Sequence, residues 1–280
     1  MRKYIIITFL AGAMAILSAR QPFAVYLQNP VSARDEATGN VFPHFWNSAV
    51  VSPSDKVALA GYKNRFGLFN DGFVGARYGF RRVDFFALVQ ISSVDDLEGR
   101  KFSTAEPEYT FSANRANAML GASFALNRYV RLGVGWRHIY ENLELAHFDA
   151  NTFSAGIAAE YKGAFASLSV MDYGADRKYF SYEYPPPTVY SLRTGYEYRD
   201  FLRVGGAVFR PDPGRTYGAV GVEFKPTGSV TLAGSYTIAH DSRGFALGGQ
   251  FALGKFALGY SCALMGDLGV EHSVSLYFGR

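Results

Sequence analysis

A single cysteine, Cys262, stands among 280 residues, so the chain can form no internal disulfide and offers no cysteine pair to a metal. Charge is scarce as well. Asp, Glu, Lys and Arg make up 19% of the residues, below the roughly 25% of an average soluble domain. Only 2 Trp occur, against 19 Tyr and 24 Phe. Beyond the N-terminus no stretch reaches about eighteen uninterrupted apolar residues, which leaves no helix able to span a membrane. Helical spacing is hard to find anywhere, and 30 Gly with 11 Pro argue against a helical bundle. A mean hydropathy of -0.01 is too low for a polytopic helical membrane protein, while 49% hydrophobic residues are too many for disorder. An all-β protein rich in Gly and Tyr remains.

The formal charge is +4 and the pI near 9.0, but Arg2 and Lys3 sit in an export signal and no Lys/Arg cluster appears elsewhere. Nucleic acid is therefore not expected as a partner. Met1-Arg2-Lys3, the apolar run Tyr4 to Leu17 and the small residues Ser18-Ala19 read as a cleaved secretory signal, with Ala19 and Ala24 as possible cut sites. The expected organisation is a signal peptide over 1–24, an N-terminal plug or hatch segment over 25–56, and a barrel over 57–280.

From Val57 onward the hydrophobic period is two. Val130, Leu132, Val134 and Trp136 share one face against Arg131, Gly133, Gly135 and Arg137. Phe245, Leu247, Phe251 and Leu253 likewise oppose Ala246, Gly248, Gln250 and Ala252. Large apolar residues alternating with small or polar ones, over segments of about ten, are what a transmembrane barrel shows, apolar toward lipid and polar toward the lumen. Fourteen strands are expected, near 57–64, 72–80, 83–92, 115–126, 130–141, 151–161, 164–172, 188–198, 201–209, 216–224, 230–238, 244–253, 255–263 and 271–278. Tight connections such as Arg81-Arg82, Lys162-Gly163 and Arg199-Asp200 alternate with longer ones such as Ser93 to Asn114 and Asn142 to Ala150. Short periplasmic turns alternating with external loops fit an outer-membrane barrel with both ends in the periplasm. Tyr62, Tyr78, Tyr129, Tyr140, Tyr161, Tyr196, Tyr198 and Tyr217 fall near strand ends, where they would form interfacial girdles.

The last two expected strands, from Phe256 to Phe278, with the Gly266-Asp-Leu-Gly269 turn and His272-Ser-Val-Ser-Leu276, resemble the closing hairpin of the PorV/PorQ family of bacterial outer-membrane proteins, itself similar to FadL-type transporters. Phe111-Ser-Ala-Asn, Leu132-Gly-Val-Gly, Ile139-Tyr-Glu and Val31-Ser-Ala-Arg are similar to further parts of that family. Two departures stand out. Asn47-Ser48-Ala49 replaces the family's usual Asn-Pro-Ala, and Gly279-Arg280 follow the final aromatic residue. The resemblance implies a barrel of about fourteen strands with an N-terminal segment folded into the lumen. It also implies a role in protein secretion, the docking of exported cargo in a type IX-like system. The alternative is a FadL-like passive transporter of hydrophobic or small solutes.

With the large apolar face outside, the lumen would receive Arg77, Asp84, Arg131, Arg137, Glu160, Arg193, Glu197, Arg203, Glu223 and Glu271, along with Gln90 and Gln250. Five Arg face five carboxylates, as expected of a mutually paired network across a partly wet interior. Phe42, Phe45 and Trp46 are the plug candidates. Tyr179, Phe180, Tyr182, Tyr184 and Pro186 form an aromatic external loop that could dock an extended partner or a hydrophobic ligand. His240-Asp241-Ser242 holds triad residue types on one short loop, and the five His show no metal-ligand spacing. The expectation is a monomeric, non-enzymatic barrel without cofactor, in contact with outer-membrane lipid.

Overall fold

The computed structural model describes residues 30–42, 56–99, 109–143, 146–179 and 182–279. The signal peptide, Phe45, Trp46 and Phe180 lie outside the described residues. Among the described residues one short helix, α1 (Ala33–Ala37), precedes the strands. These are β1 (Val57–Arg65), β2 (Phe69–Phe80), β3 (Val83–Gly99), β4 (Tyr109–Ala125), β5 (Val130–Leu143), β6 (Ala146–Tyr161), β7 (Ala164–Gly174), β8 (Arg177–Tyr179), β9 (Tyr182–Tyr184), β10 (Thr188–Tyr198), β11 (Leu202–Asp212), β12 (Tyr217–Thr227), β13 (Val230–Ile238), β14 (Phe245–Leu253), β15 (Phe256–Leu264) and β16 (Val270–Phe278). Fourteen of them form a closed antiparallel barrel of sequential neighbours, sealed where β1 pairs with β16 from Ala58↔Phe278 to Arg65↔Glu271. The remaining two, β8 and β9, make a separate hairpin between β7 and β10.

Period two fixes which side of the wall each residue occupies. In β3, Phe85, Val89 and Ile91 point out and are exposed, while Asp84, Phe86, Leu88, Ser92 and Val94 point in and are buried. In β16, Val274, Leu276 and Phe278 point out against Glu271, Ser273 and Ser275. Closure pairs the backbone groups all round the ring, so the wall can sit in hydrocarbon without an unsatisfied edge. A strand of nine residues, as in β13 to β16, rises about 30 Å, and at the usual tilt of about 40° it crosses a lipid band of about 25 Å.

Eleven of the expected strand positions agree with the structure to within three residues. The clear difference lies in β3 to β6, where the ladder runs on past the expected loops. The stretches Ser93 to Asn114 and Asn142 to Ala150 are mostly strand, with β3 and β4 paired out to Gly99↔Tyr109 and β5 and β6 out to Leu143↔Ala146. Asp95-Asp96, Asn114-Arg115 and Glu141-Asn142 break the apolar alternation there, but backbone pairing needs no lipid to continue into water.

At the tight-turn end, exposed aromatics carry cations over their rings: Lys56 on Tyr78, Arg81 on Phe80, Arg128 on Tyr129, Lys162 on Tyr161 and Arg199 on Tyr198, at 4.6–5.2 Å. Rings at the boundary and charges reaching into water are the arrangement of a membrane interface. Tyr217 departs from the expected girdle. It points inward, stacks on Phe209 at 4.9 Å and belongs to the interior cluster.

Candidate functional site: a filled lumen

Residues 30–42 lie inside the barrel. Ser32 caps α1 with a reciprocal box: its hydroxyl accepts from the Asp35 amide at 3.2 Å and the Asp35 carboxylate takes up the Ser32 amide at 3.3 Å. Gly39 and Asn40 then turn the chain at positive φ, and Val41 and Phe42 follow, both buried. Small residues on the wall let the backbones approach. A Cβ on Gly248 would sit 2.7 Å from Ala37 Cβ, and one on Gly221 would sit 2.7 Å from the Thr38 carbonyl oxygen.

Polar anchors hold the segment at both ends. The Ala33 amide donates to Ser275 Oγ at 2.8 Å, and Arg34 grips the Glu223 carboxylate with Nε and one terminal nitrogen. Glu36 is fully buried between Lys63 at 2.6 Å and Arg243 at 3.1 Å, and Lys63 also reaches Glu271 at 2.8 Å and the Pro30 carbonyl at 2.6 Å. Arg193 Nε donates to the Asn40 carbonyl at 3.0 Å. Phe42 meets Phe165 edge-on at 5.7 Å, and the Arg203 guanidinium lies over both rings, at 4.7 and 4.9 Å. A cavity of about 30 Å³, lined by Phe42, Phe165, Glu160, Arg193 and Arg203, remains beside them.

The segment shares an apolar cluster with the wall. Val31, Val41, Phe42, Leu59, Phe73, Phe86, Leu88, Met119, Met171, Val189 and Phe209 form one continuous cluster, with Phe165 and Tyr217 packed against it. By strand position it runs from Met171, Val189 and Tyr217, at the long-connection end, to Phe165 and Phe42 at the tight-turn end. The expected small and polar interior is corrected here: inward positions carry large apolar side chains as well as charges. Period two says which face a residue takes but not how large the inward residues are, so Phe86 and Leu88, flanked by Phe85 and Val89, read as an unbroken apolar run.

The expected lumen charges are found at inward positions, and they pair with one another only in part. Asp84 bridges Arg131 and Arg77, as a strand-to-strand cluster should. Arg137 instead holds Asp172 at 3.1 Å. Glu223 holds Arg34 of the segment, with Arg203 at 4.0 Å, and Arg203 lies 3.8 Å from Glu197. Glu271 holds Lys63. Among the described residues no carboxylate pairs with Arg193, one terminal nitrogen of which donates to both Ser191 and Ser169. Glu160 is exposed at the tight-turn rim, and Gln90 and Gln250 are half-buried.

Sequence reasoning missed Arg34, Glu36, Lys63, Asp172 and Arg243. Lys63 and Arg65 share the inward parity of Leu59, which is the signal that could have found them. Arg243 lies in a loop and Arg34 and Glu36 in the segment, where no period exists to read. On the external loop, Pro186 is buried and Tyr184 half-buried, so Pro186 is not presented to solvent as a docking platform would require. Tyr179 and Tyr182 are paired to each other by backbone at the tip of the β8–β9 hairpin. His240 is no part of a triad: its Nδ1 accepts from the Ser242 and Arg243 amides at 3.3 and 3.1 Å, and Asp241 turns outward toward Arg215.

No protein-family model matches the chain, and no curated protein does. Solved structures do. A TodX variant titled a monoaromatic hydrocarbon channel superposes with a TM-score of 0.63 at 11% identity, over 89% of this chain and 99% of its own. The Pseudomonas putida toluene transporter TodX gives 0.60 at 13%, over 89% and 96%. The monoaromatic hydrocarbon channel CymD gives 0.53 at 9%, over 82% and 89%. At such identities the likeness is one of fold, and it agrees with the topology counted above: the chain is a closed fourteen-stranded transmembrane β-barrel of the outer-membrane type that TodX and CymD share.

Proposed function

We propose that this barrel is a non-enzymatic, passive outer-membrane conduit for small hydrophobic solutes, closed at rest by the segment 30–42. The observation that carries the reading is the apolar cluster that runs the length of the lumen. A water-filled pore selecting ions would be lined by rings of charge, whereas here the charges pair from strand to strand or fasten the segment. The fold shared with a toluene transporter and a hydrocarbon channel supports the same reading. With the cluster packed against Val41 and Phe42, a solute gains a route only when the segment shifts.

The cargo-docking role implied by the PorV/PorQ resemblance draws no comparable support: on the loop that would serve it, Pro186 is buried and Tyr184 half-buried. Uptake of radiolabelled toluene by proteoliposomes tests the proposal. Reconstituted barrel is expected to raise entry well above that of empty vesicles, and Arg34→Ala, which frees one anchor, to raise it further. A folded barrel whose vesicles fill no faster than empty ones would sink the reading.

A further inference from the structure

The loop joining β13 to β14, residues 239–244, reaches from the long-connection end into the lumen. Its His240 ring stacks edge-on against Tyr217 of β12 at 4.7 Å and accepts the two backbone amides of Ser242 and Arg243 through Nδ1. Those two bonds turn the loop back on itself and aim Arg243 inward. The Arg243 guanidinium is buried, 3.1 Å from Glu36 and 3.8 Å from Glu271. Glu36 belongs to α1, so one histidine on an outer loop and one helix inside the barrel are joined by a single arginine.

We propose that this loop is an acid-released latch: protonation of His240 withdraws Arg243 from the Glu36 and Glu271 carboxylates and loosens α1 in the lumen. An imidazole protonated at Nδ1 has no lone pair there, and its new N–H faces two amide N–H groups. Both bonds are lost and the loop must rearrange. The charged groups around the ring are few: Arg243 and Asp241 on its own loop and Tyr217 from β12, with Arg215 beyond Asp241. Burial, and then Arg243, hold the His240 ring below its ordinary value of 6.5, against the pull of Asp241. A histidine depressed in this way leaves the latch intact above 6.5 and strains it progressively as pH falls below that value.

A second proton follows the first. Burial pushes the Glu36 carboxyl above the usual range, against Arg243 and Lys63, and Glu271 adds to the push. Withdrawal of Arg243 leaves Glu36 and Glu271 with Lys63 alone among the cations named here. The released state therefore takes up a proton more readily than the latched one, and acid favours release at both places.

Hydrogen exchange on the full chain in lipid nanodiscs reads this directly, because the amides of Glu36, Thr38, Gly39 and Asn40 are bonded within the segment. Corrected for intrinsic exchange, their protection is expected to fall about tenfold or more between about pH 7.5 and pH 5. His240→Asn, whose Oδ1 can accept the same amides without titrating, is expected to keep the protection at both values. Arg243→Met is expected to lose it at both, and Arg243→Lys to restore most of it at the higher pH. Heat-modifiable gel mobility certifies that each variant is a folded barrel. Equal protection at the two pH values in the natural chain would overturn the proposal, and so would an unchanged drop in His240→Asn. No solute enters this measurement, so its failure leaves the conduit reading standing, and a failed uptake assay leaves the latch standing.

Discussion

Lys63 shows how a single side chain can decide whether the lumen stays filled. It is 2% exposed and binds Glu36, Glu271 and the Pro30 carbonyl together. Such a buried network is no proof of stability, since an apolar replacement of the whole set is often neutral, but removing one partner strands the others and costs about 3–5 kcal/mol. Lys63→Met is therefore expected to lower the urea midpoint of the lipid-reconstituted barrel, whereas Lys63→Met combined with Glu271→Met is expected to recover much of the loss. Full additivity of the two substitutions would contradict the pairing. Gly221 sets the same seat by shape: a side chain there must displace the Thr38 carbonyl, 2.7 Å from its Cβ. Overpacking of this kind costs about 1–3 kcal/mol. Gly221→Val should leave the barrel folded but open residues 30–42 to protease, and a variant as resistant as the natural chain would remove the glycine from this role.

The strands were legible because lipid imposes a rule on the sequence. Leu132, Val134 and Trp136 face hydrocarbon against Arg131, Gly133 and Gly135, and the alternation announces it. Where β3 to β6 leave the lipid, water imposes no such rule, and a stretch such as Ser93-Val94 reads as loop although its backbone is paired on both sides. The same difference in surroundings sets the cost of breaking the ladder. At Thr110, opposite Glu98 in the projecting part, water can bond whatever a proline leaves unpaired. At Leu120, exposed on the lipid side and paired with both Ala87 and Trp136, each unsatisfied group costs several kcal/mol. Thr110→Pro is expected to assemble with natural heat-modifiability and Leu120→Pro to fail, as scored by the folded fraction in the membrane. Equal yields would mean that β4 does not leave the lipid where its polar residues begin. Element α1 is the opposite case: five residues carry too little period to read, and only the cap at Ser32 with Asp35 marks it.

At the scale of the molecule, a shell of apolar residues with a second apolar cluster inside could in principle belong to a barrel in either solvent, and near-zero mean hydropathy does not separate the two. What separates them is the response of the outer wall to charge. Val274 lies at mid-strand in β16 and is 41% exposed, whereas Phe80 ends β2 beside Arg81, at the tight-turn rim, and is 53% exposed. In lipid, an arginine at the midplane costs about 2–4 kcal/mol and one near the interface about 0–1 kcal/mol. In water both positions would accept arginine at almost no cost, because exposed surface substitutions stay within about 0.5 kcal/mol. Urea titration of the barrel refolded into vesicles is therefore expected to show Val274→Arg strongly destabilised and Phe80→Arg nearly unchanged. A flat response at both sites would mean that the wall does not face hydrocarbon. The cation-bearing aromatics around Phe80 make the second half of the comparison specific, since Arg81 already lies over that ring at 5.2 Å and shows that the rim tolerates a guanidinium.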